Sequence, residues 1–348
     1  MKKRVWKQKC KSGIAVLMTA FLLMGCGPKS EEVRQEEPAP AAEEVTAESK
    51  ESEEGKSHYP VKITTYNFAK EPVELTFEKA PEKVVAIYQS PIETMLALGL
   101  EDRVVAAVML DDPVKDEYKA AFEKITYFEN RPSKEEVLAM EPDFLLSWSS
   151  LFSEKNYGDI GFWNERGTNT YIWQNAGLKK PNTLENEYQD ILNIGKIFDV
   201  EEKAIAIVDN MKEEIEKAKK YVEGKEKVRT VILEVEKEGQ YRIYGLDSIG
   251  GDIASQVGAD LIAKENATIG KEELVELNPD VIFSVYYGDS IVRDQAVDSI
   301  VKDKALESIS AVEKGRVHPI VLSEVYASGV RTMDGIRTII AGIYPELK

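Results

Sequence analysis

The sequence predicts an α/β fold in which two doubly wound lobes with parallel-rich sheets are joined by one long rigid helix, with a ligand cleft between the lobes. Three observations predict this fold. Short apolar runs alternate with helical patterns, which is typical of parallel sheets covered on both faces. One apolar stripe follows residues 203–222, and a motif of helix, proline turn and strand occurs once on each side of it.

The N-terminal segment predicts export and lipid attachment. Residues 1–25 hold six basic and no acidic side chains, and their uncharged apolar run is shorter than the about 20 residues that span a bilayer. The run ends at Leu23-Met24-Gly25-Cys26, which resembles the bacterial lipobox, although Met24 is bulkier than the residue usual there. We therefore expect a signal peptide at 1–25 and a lipid on Cys26.

Residues 26–58 are rich in Glu, Ala and Pro without an aromatic side chain, which predicts an acidic, disordered linker. The whole chain carries a formal net charge of −17, so it repels nucleic acid and anionic lipid, and membrane contact is expected through the lipid alone. The two cysteines are Cys10 and Cys26, and Cys10 leaves with the signal peptide. The mature chain is therefore expected to fold without a disulfide.

The folded part is predicted to begin at residue 59. The N-terminal lobe, 59–182, has β-rich runs at 84–88, 104–109, 144–148 and 170–173, with helical patterns at 92–98 and 134–140. A helical segment, 183–224, carries the stripe, whose apolar residues recur at steps of four and three on a helix about 30 Å long. The C-terminal lobe, 225–348, has runs at 230–235, 281–285 and 317–321, with helical patterns at 252–257, 271–277 and 331–343.

The repeated motif occupies residues 134–146 and 271–283. The two copies align without gaps, with five identical positions and six exchanges of one apolar residue for another. In both copies a helix must end before a proline, Pro142 or Pro279, because the residue before proline avoids helical angles. Two similar lobes joined by one helix place a cleft at the carboxyl ends of their strands, where open α/β sheets bind ligands.

Residues 80–87, 90–105 and 248–259, together with both Pro-Asp motifs, resemble the class III, helix-linked, solute-binding lipoproteins of ABC importers for ferric siderophores, haem or cobalamin. The resemblance covers residues 59–348. It implies a monomer that captures a small molecule and delivers it to an ABC permease and its ATPase, with no covalent cofactor besides the N-terminal lipid. It also implies an exported protein anchored to the outer face of the cell membrane, on the periplasmic side if the host has an outer membrane.

In that family one acidic residue on each lobe docks on permease arginines. The matching positions are Glu135 and Glu272, at the start of the helix in each repeat. The alternative is structural, since glutamate in a first helical turn interacts favourably with the helix dipole, by about 0.3–1 kcal/mol.

Residues at the ends of the predicted strands are the candidates for lining the cleft. They are Tyr88, Gln89, Trp148, Ser149 and Trp173 in the first lobe, and Tyr244, Tyr286, Tyr287, Tyr326 and Arg331 in the second. Each aromatic residue has core packing as its alternative. Together they favour a wide apolar cleft for a planar or bulky ligand.

Two arginines are open to opposite interpretations. Arg331 either pairs with an anionic chelate or lies on the surface and caps the last helix. Arg166 falls in an irregular stretch, and its alternative role is a surface salt bridge.

Metal binding by protein side chains is not expected. The mature chain has two histidines, of which His58 falls in the linker and His318 in an apolar strand. If the protein carries iron, we therefore expect the iron inside a chelator. A ferric siderophore is the first candidate cargo, and cobalamin and haem are the next.

An extracellular α/β enzyme is the rival functional class, but the sequence has no phosphate loop, dinucleotide fingerprint or nucleophile elbow.

Overall fold

The computed structural model describes residues 57–178, 180–237 and 239–347. The predicted signal peptide, Cys26 and the linker up to residue 56 lie outside the described residues. A two-stranded antiparallel hairpin comes first, formed by β1 (Val61–Tyr66) and β2 (Pro72–Phe77). Alternate residues of β1 are buried, and Thr65 accepts a hydrogen bond from the N–H of Ile172 (3.2 Å), so the hairpin is fastened to the first lobe.

The first lobe contains a five-stranded sheet in which all strands are parallel, with the order β5-β4-β3-β6-β7. The strands are β3 (Val84–Ile87), β4 (Val104–Val108), β5 (Tyr127–Phe128), β6 (Phe144–Ser147) and β7 (Asn169–Ile172). The helices are α1 (Gln89–Ala97), α2 (Lys119–Phe122), α3 (Lys134–Ala139) and α4 (Ile160–Asn164). Ala86 faces the core with α1, whereas its neighbour Val85 faces α3 and α4, so both sides of the sheet are covered.

The second lobe contains a six-stranded, parallel-rich sheet with the order β11-β9-β8-β12-β13, and β10 pairs with β8. The strands are β8 (Arg229–Lys237), β9 (Gln240–Ile243), β10 (Asp260–Leu261), β11 (Thr268–Gly270), β12 (Val281–Tyr286) and β13 (Val317–Val321). Strands β9 and β11 run antiparallel to their neighbours. The helices are α7 (Ile249–Gln256), α8 (Lys271–Leu277), α9 (Ser290–Val301), α10 (Ser310–Glu313), α11 (Leu322–Val325) and α12 (Thr332–Ile343).

Helices α5 (Leu184–Ile197) and α6 (Glu201–Val222) lie between the two sheets in the chain. The 22 residues of α6 span about 33 Å. The predicted stripe is buried at Ala204, Val208, Met211, Ile215 and Ala218, and its last residue, Val222, is partly buried. One hydrophobic core runs through both lobes and includes this stripe, while two smaller clusters lie on the outer sides of the sheets.

The two repeats share an unusual turn. Helix α3 is followed by Glu141 with φ 50° and then Pro142, and α8 is followed by Asn278 with φ 40° and then Pro279. A left-handed residue directly before each proline turns the chain into β6 or β12. In the described part of the chain, no helix is both long and apolar enough to cross a membrane.

Candidate functional site

An aromatic ladder crosses the cleft between the lobes. The rings of Tyr88 and Trp148, at the carboxyl ends of β3 and β6, stack with centroids 4.3 Å apart and planes 19° apart. The ring of Tyr326, which follows α11 in the second lobe, meets Trp148 edge-on at 5.6 Å and 74°. The indole N–H of Trp148 donates to Ser90 Oγ at 3.2 Å. Both ring contacts, one stacked and one edge-to-face, have the geometry that aromatic groups prefer.

The backbone of Tyr88 places its ring in the cleft. Its φ of 76° is uncommon for a residue with a side chain. The turn is held because the N–H of Tyr88 donates to Val108 O at 2.9 Å and its own carbonyl accepts from Ile92 N at 3.3 Å. Strand β3 therefore changes into α1 within one residue, and the ring of Tyr88 projects at the carboxyl edge of the sheet.

A pocket of about 230 Å³ opens beside the ladder and is walled by both lobes. This volume is somewhat smaller than that of typical small-molecule sites, about 300–1,000 Å³. The hairpin and the first lobe contribute Lys70, Asn175, Gly177, Leu178, Lys180 and Asn182; the second lobe contributes Arg242, Ile243, Tyr244, Asp247, Ser248, Asn266 and Tyr326.

The pocket gathers positive charge in an acidic protein. Three cations, Lys70, Lys180 and Arg242, line it beside a single carboxylate, that of Asp247. Among the described residues, no acidic side chain pairs with Lys70 or Lys180. The Nη1 atom of Arg242 lies 3.5 Å from a carboxylate oxygen of Glu234. The pocket therefore suits an anionic ligand.

Three predicted cleft residues of the second lobe differ in how deeply they are buried. Tyr244 is buried in the pocket wall, and its hydroxyl donates to Glu234 at 2.8 Å. Tyr286 ends β12, and Tyr287 beside it is 59% exposed. The next residue, Gly288, donates its N–H to Asp112 of the first lobe at 3.3 Å, which bridges the far end of the cleft.

Arg331 is buried between the lobes and does not lie on the surface, and its contact with a ligand stays a prediction. Its Nε and Nη2 donate to the two carboxylate oxygens of Glu93 at 2.5 and 2.8 Å. Nη2 also donates to Pro113 O at 2.6 Å and Nη1 to Ser323 Oγ at 3.1 Å. Burial lowers the pKa of Arg331, but the hydrogen bonds and charge of Glu93 outweigh it, so the pKa is raised. Four of the five guanidinium N–H groups thus donate to protein groups.

Trp173 is fully buried in the core, which was the alternative for each aromatic candidate, and its indole N–H donates to Glu187 at 3.0 Å. Glu187 additionally accepts the N–H groups of Ser328 and Gly329 from the second lobe, at 3.2 and 2.7 Å. Burial raises the pKa of Glu187, while these and further hydrogen bonds oppose the rise. Gly329 has φ 55° and a Cβ there would lie 3.0 Å from that of Ser90, so only glycine fits this close approach.

The remaining candidates are accounted for by internal contacts. Gln89 is buried and its Oε1 accepts from Asp112 N at 3.1 Å. Ser149 is buried and donates to Ala176 O at 2.8 Å. Arg166 is exposed and donates to Phe162 O at 2.7 Å, with its guanidinium carbon 3.8 Å from the Phe162 ring centre, so it does not reach the cleft pocket.

Sequence reasoning missed Arg242 and the two lysines of the pocket. The alternation Gln240-Tyr-Arg-Ile243 of β9 could have placed Arg242 opposite the buried Tyr241 and Ile243. Lys70 and Lys180 lie in irregular segments, where no periodic signal exists.

Glu135 and Glu272 occupy the first turns of α3 and α8, and both are exposed. Their helices begin differently. Ser133 and Glu136 form a reciprocal capping box at α3, whereas α8 follows Gly270 without a side-chain cap. Equivalent exposed carboxylates are thus present on both lobes.

The chain is similar to proteins of one family. The family described as periplasmic binding protein matches residues 84–320. The uncharacterized ABC transporter substrate-binding lipoprotein YvrC of Bacillus subtilis strain 168 is 26% identical over 352 residues, which cover 97% of this chain and 98% of that protein. The petrobactin-binding protein YclQ of the same organism is 25% identical over 262 residues, covering 72% of this chain and 78% of its own. The crystal structure of a periplasmic binding protein from Veillonella parvula DSM 2008 matches with a TM-score of 0.80 at 32% identity, covering 84% of this chain and 94% of that one.

Proposed function

Since the chain belongs to the periplasmic binding protein family, we propose that its cargo is an anionic iron(III)–siderophore complex. The protein is the substrate-binding component of an ABC transporter and not an enzyme. Such proteins act outside the cell, bind a small molecule and work with a permease and its ATPase. The proposal therefore concerns which small molecule occupies the cleft.

The cationic pocket beside the aromatic ladder carries this proposal. Lys70, Lys180 and Arg242 face a space of about 230 Å³ in a chain whose net charge is −17. Guanidinium and ammonium groups pair with the carboxylate or catecholate oxygens of an iron chelate. The ring of Tyr326, which lines the pocket, offers an apolar surface to its organic parts. Likeness to a petrobactin-binding protein supports a chelate as cargo.

Haem is the second candidate, because the same two features favour it. Its planar ring would lie on the ladder, and its propionates would meet the cations of the pocket. Tyrosine is a known haem ligand. Tyr326 belongs to the aromatic ladder and also lines the pocket. Cobalamin is the third candidate.

We also propose that the carrier is a monomer tethered by a lipid on Cys26 to the outer face of the membrane. The relative YvrC is named a lipoprotein. A tether holds carrier and permease at high effective concentration. Glu135 and Glu272 are the proposed docking contacts on the two lobes.

Purification of the full chain from its own host tests the cargo. Absorption spectroscopy and native mass spectrometry distinguish a ferric chelate, haem and cobalamin, which are all coloured. We expect a ferric chelate, and haem or cobalamin in its place would overturn the proposal while leaving the carrier role intact.

Titration of cargo-free protein with ferric siderophores then tests the charge argument. The fluorescence of Trp148 should be quenched, and Trp148→Phe identifies its share of the signal. We expect the double variant Lys180→Gln/Arg242→Gln to lose at least tenfold in affinity for an anionic chelate, since two charge-assisted contacts of about 1.5–3 kcal/mol each are removed. The control Lys217→Gln removes a lysine of α6 that does not line the pocket and should bind as the parent does.

A further inference from the structure

His58 packs at the junction of α5 and α6, although the sequence analysis assigned it to the linker. Its Nε2 lies 2.8 Å from the carbonyl oxygen of Lys196. A carbonyl only accepts hydrogen bonds, so Nε2 carries the ring proton. The other ring nitrogen, Nδ1, lies 3.2 Å from Asp199 Oδ1 and 3.7 Å from Glu201 Oε2.

We propose that His58, Asp199 and Glu201 form a binding site for one divalent transition-metal cation of the zinc class. With the ring proton on Nε2, the neutral imidazole presents a lone pair to two carboxylates, and three acceptors then face one another. A cation between them satisfies all three at once.

The distances fit such an ion. Zinc is bound by histidine nitrogen and carboxylate oxygen at about 2.0–2.2 Å in tetrahedral geometry, which sets neighbouring ligand atoms about 3.3–3.6 Å apart. The two distances from His58 Nδ1 fall close to this range, and all three ligand atoms lie within 4.8 Å of one another. Three protein ligands leave one position for water.

The imidazole is held in place from outside the cluster. Its bond to Lys196 O is the outer contact that fixes ring orientation in metal-bound histidines. The next residue, Tyr59, donates its hydroxyl to Ile197 O at 2.8 Å and meets the His58 ring edge-on, with centroids 4.6 Å apart. Two consecutive side chains thus satisfy two consecutive carbonyls at the end of α5, where intrahelical partners are missing.

The electrostatics also favour a cation. The carboxylates of Asp199 and Glu201 lie next to His58 Nδ1, whereas the carbonyl end of α5 meets the other ring nitrogen, Nε2. In the described part of the chain, no lysine or arginine lies within ion-pair distance of Asp199 or Glu201. Lys203, in the first turn of the same helix, instead donates to Leu98 O at 2.9 Å.

One imidazole and two carboxylates suit zinc, nickel, cobalt or iron(II) better than magnesium or calcium, which prefer oxygen ligands alone. None of the three residues lines the cleft pocket. The ion would fasten the chain just before β1 to the junction of α5 and α6, so the site is independent of the cargo.

Isothermal titration of the full, untagged chain with zinc chloride tests the site. The chain is purified in detergent and stripped with a chelator, because a polyhistidine tag would itself bind zinc. Variants His58→Gln, Asp199→Asn and Glu201→Gln remove one ligand each and keep the shape. Asparagine also tolerates the left-handed backbone of residue 199, where φ is 56°. Glu213→Gln, an exposed carboxylate further along α6, is the matched control.

We expect one zinc ion per chain, at least a tenfold loss of affinity in each ligand variant and no loss in the control. Cobalt(II) should give the intense visible bands of tetrahedral coordination. Absence of saturable binding at millimolar zinc would overturn the proposal, since the cluster is then only an imidazole–carboxylate contact. Zinc binding that His58→Gln leaves unchanged would overturn it equally.

Discussion

Replacing Arg331 by methionine tests whether this side chain joins the lobes. Arg331 and Glu93 form a two-pronged ion pair in which the side chains are 9% and 0% exposed. Without the guanidinium, the Glu93 carboxylate stays buried, and the N–H of Lys115 at 3.0 Å is its remaining partner. Removal of one partner from a buried ion pair costs about 3–5 kcal/mol, and we expect a loss of stability of that size.

The assay is urea unfolding at pH 7 followed by tryptophan fluorescence, with stability obtained by linear extrapolation. The matched variant Glu93→Leu/Arg331→Met removes both charges. It should recover most of the lost stability, because apolar residues of similar volume often replace a buried pair without cost. Cargo affinity of this double variant should equal that of the parent.

Three results would refute the reasoning. If Arg331→Met lowers the free energy of unfolding by less than about 1 kcal/mol, the effect is that of an exposed ion pair, and the pair is not buried in solution. A double variant no more stable than the single one would mean that the unpaired Glu93 charge is not the cause. A stable double variant that no longer binds cargo would make Arg331 a ligand contact.

Three further predictions concern pH, cargo and transport. Burial raises the pKa of Glu324 from 4.5 to about 7, so between these pH values the folded state holds a proton that the unfolded state has released. The free energy of unfolding should therefore fall as pH rises from 4.5 to 7. In urea unfolding measured across that range, Glu324→Gln should abolish this fall. Trp148→Ala removes both contacts of the aromatic ladder and should weaken cargo binding about tenfold in calorimetry. Charge reversal at both Glu135 and Glu272 should abolish uptake of labelled iron chelate by cells and leave cargo affinity unchanged.

Each of these three predictions has an outcome that would contradict it. Parallel stability curves for Glu324→Gln and its parent would show that this carboxyl titrates normally. Unchanged affinity of Trp148→Ala would place the cargo away from the ladder. Uptake that survives reversal at both glutamates would exclude them as docking contacts.

The buried stripe of α6 and the two repeats could be predicted from the sequence because their sequence patterns are local. Residues 204 to 218 recur at helical spacing whatever the helix packs against. Each proline ends a helix through the clash with its own predecessor, although the left-handed angles of Glu141 and Asn278 were not foreseen.

The candidate cleft was predicted only in part. The position at a strand end nominated Tyr88, Trp148 and Tyr326, which the structure brings together. The same rule nominated Trp173, which turns into the core because Glu187 on α5 offers its indole a buried partner. Position along a strand does not fix which way a side chain turns.

The sequence alone determined two α/β lobes, a strut between them and a family resemblance, because periodicity and turn chemistry act over a few neighbouring residues. Only the tertiary structure decided which polar groups face the cleft and which pair inside the protein. Arg331 meets Glu93 across 238 residues and His58 meets Lys196 across 138. Such partners leave no local pattern, since their contact exists only once the lobes and the strut have packed together.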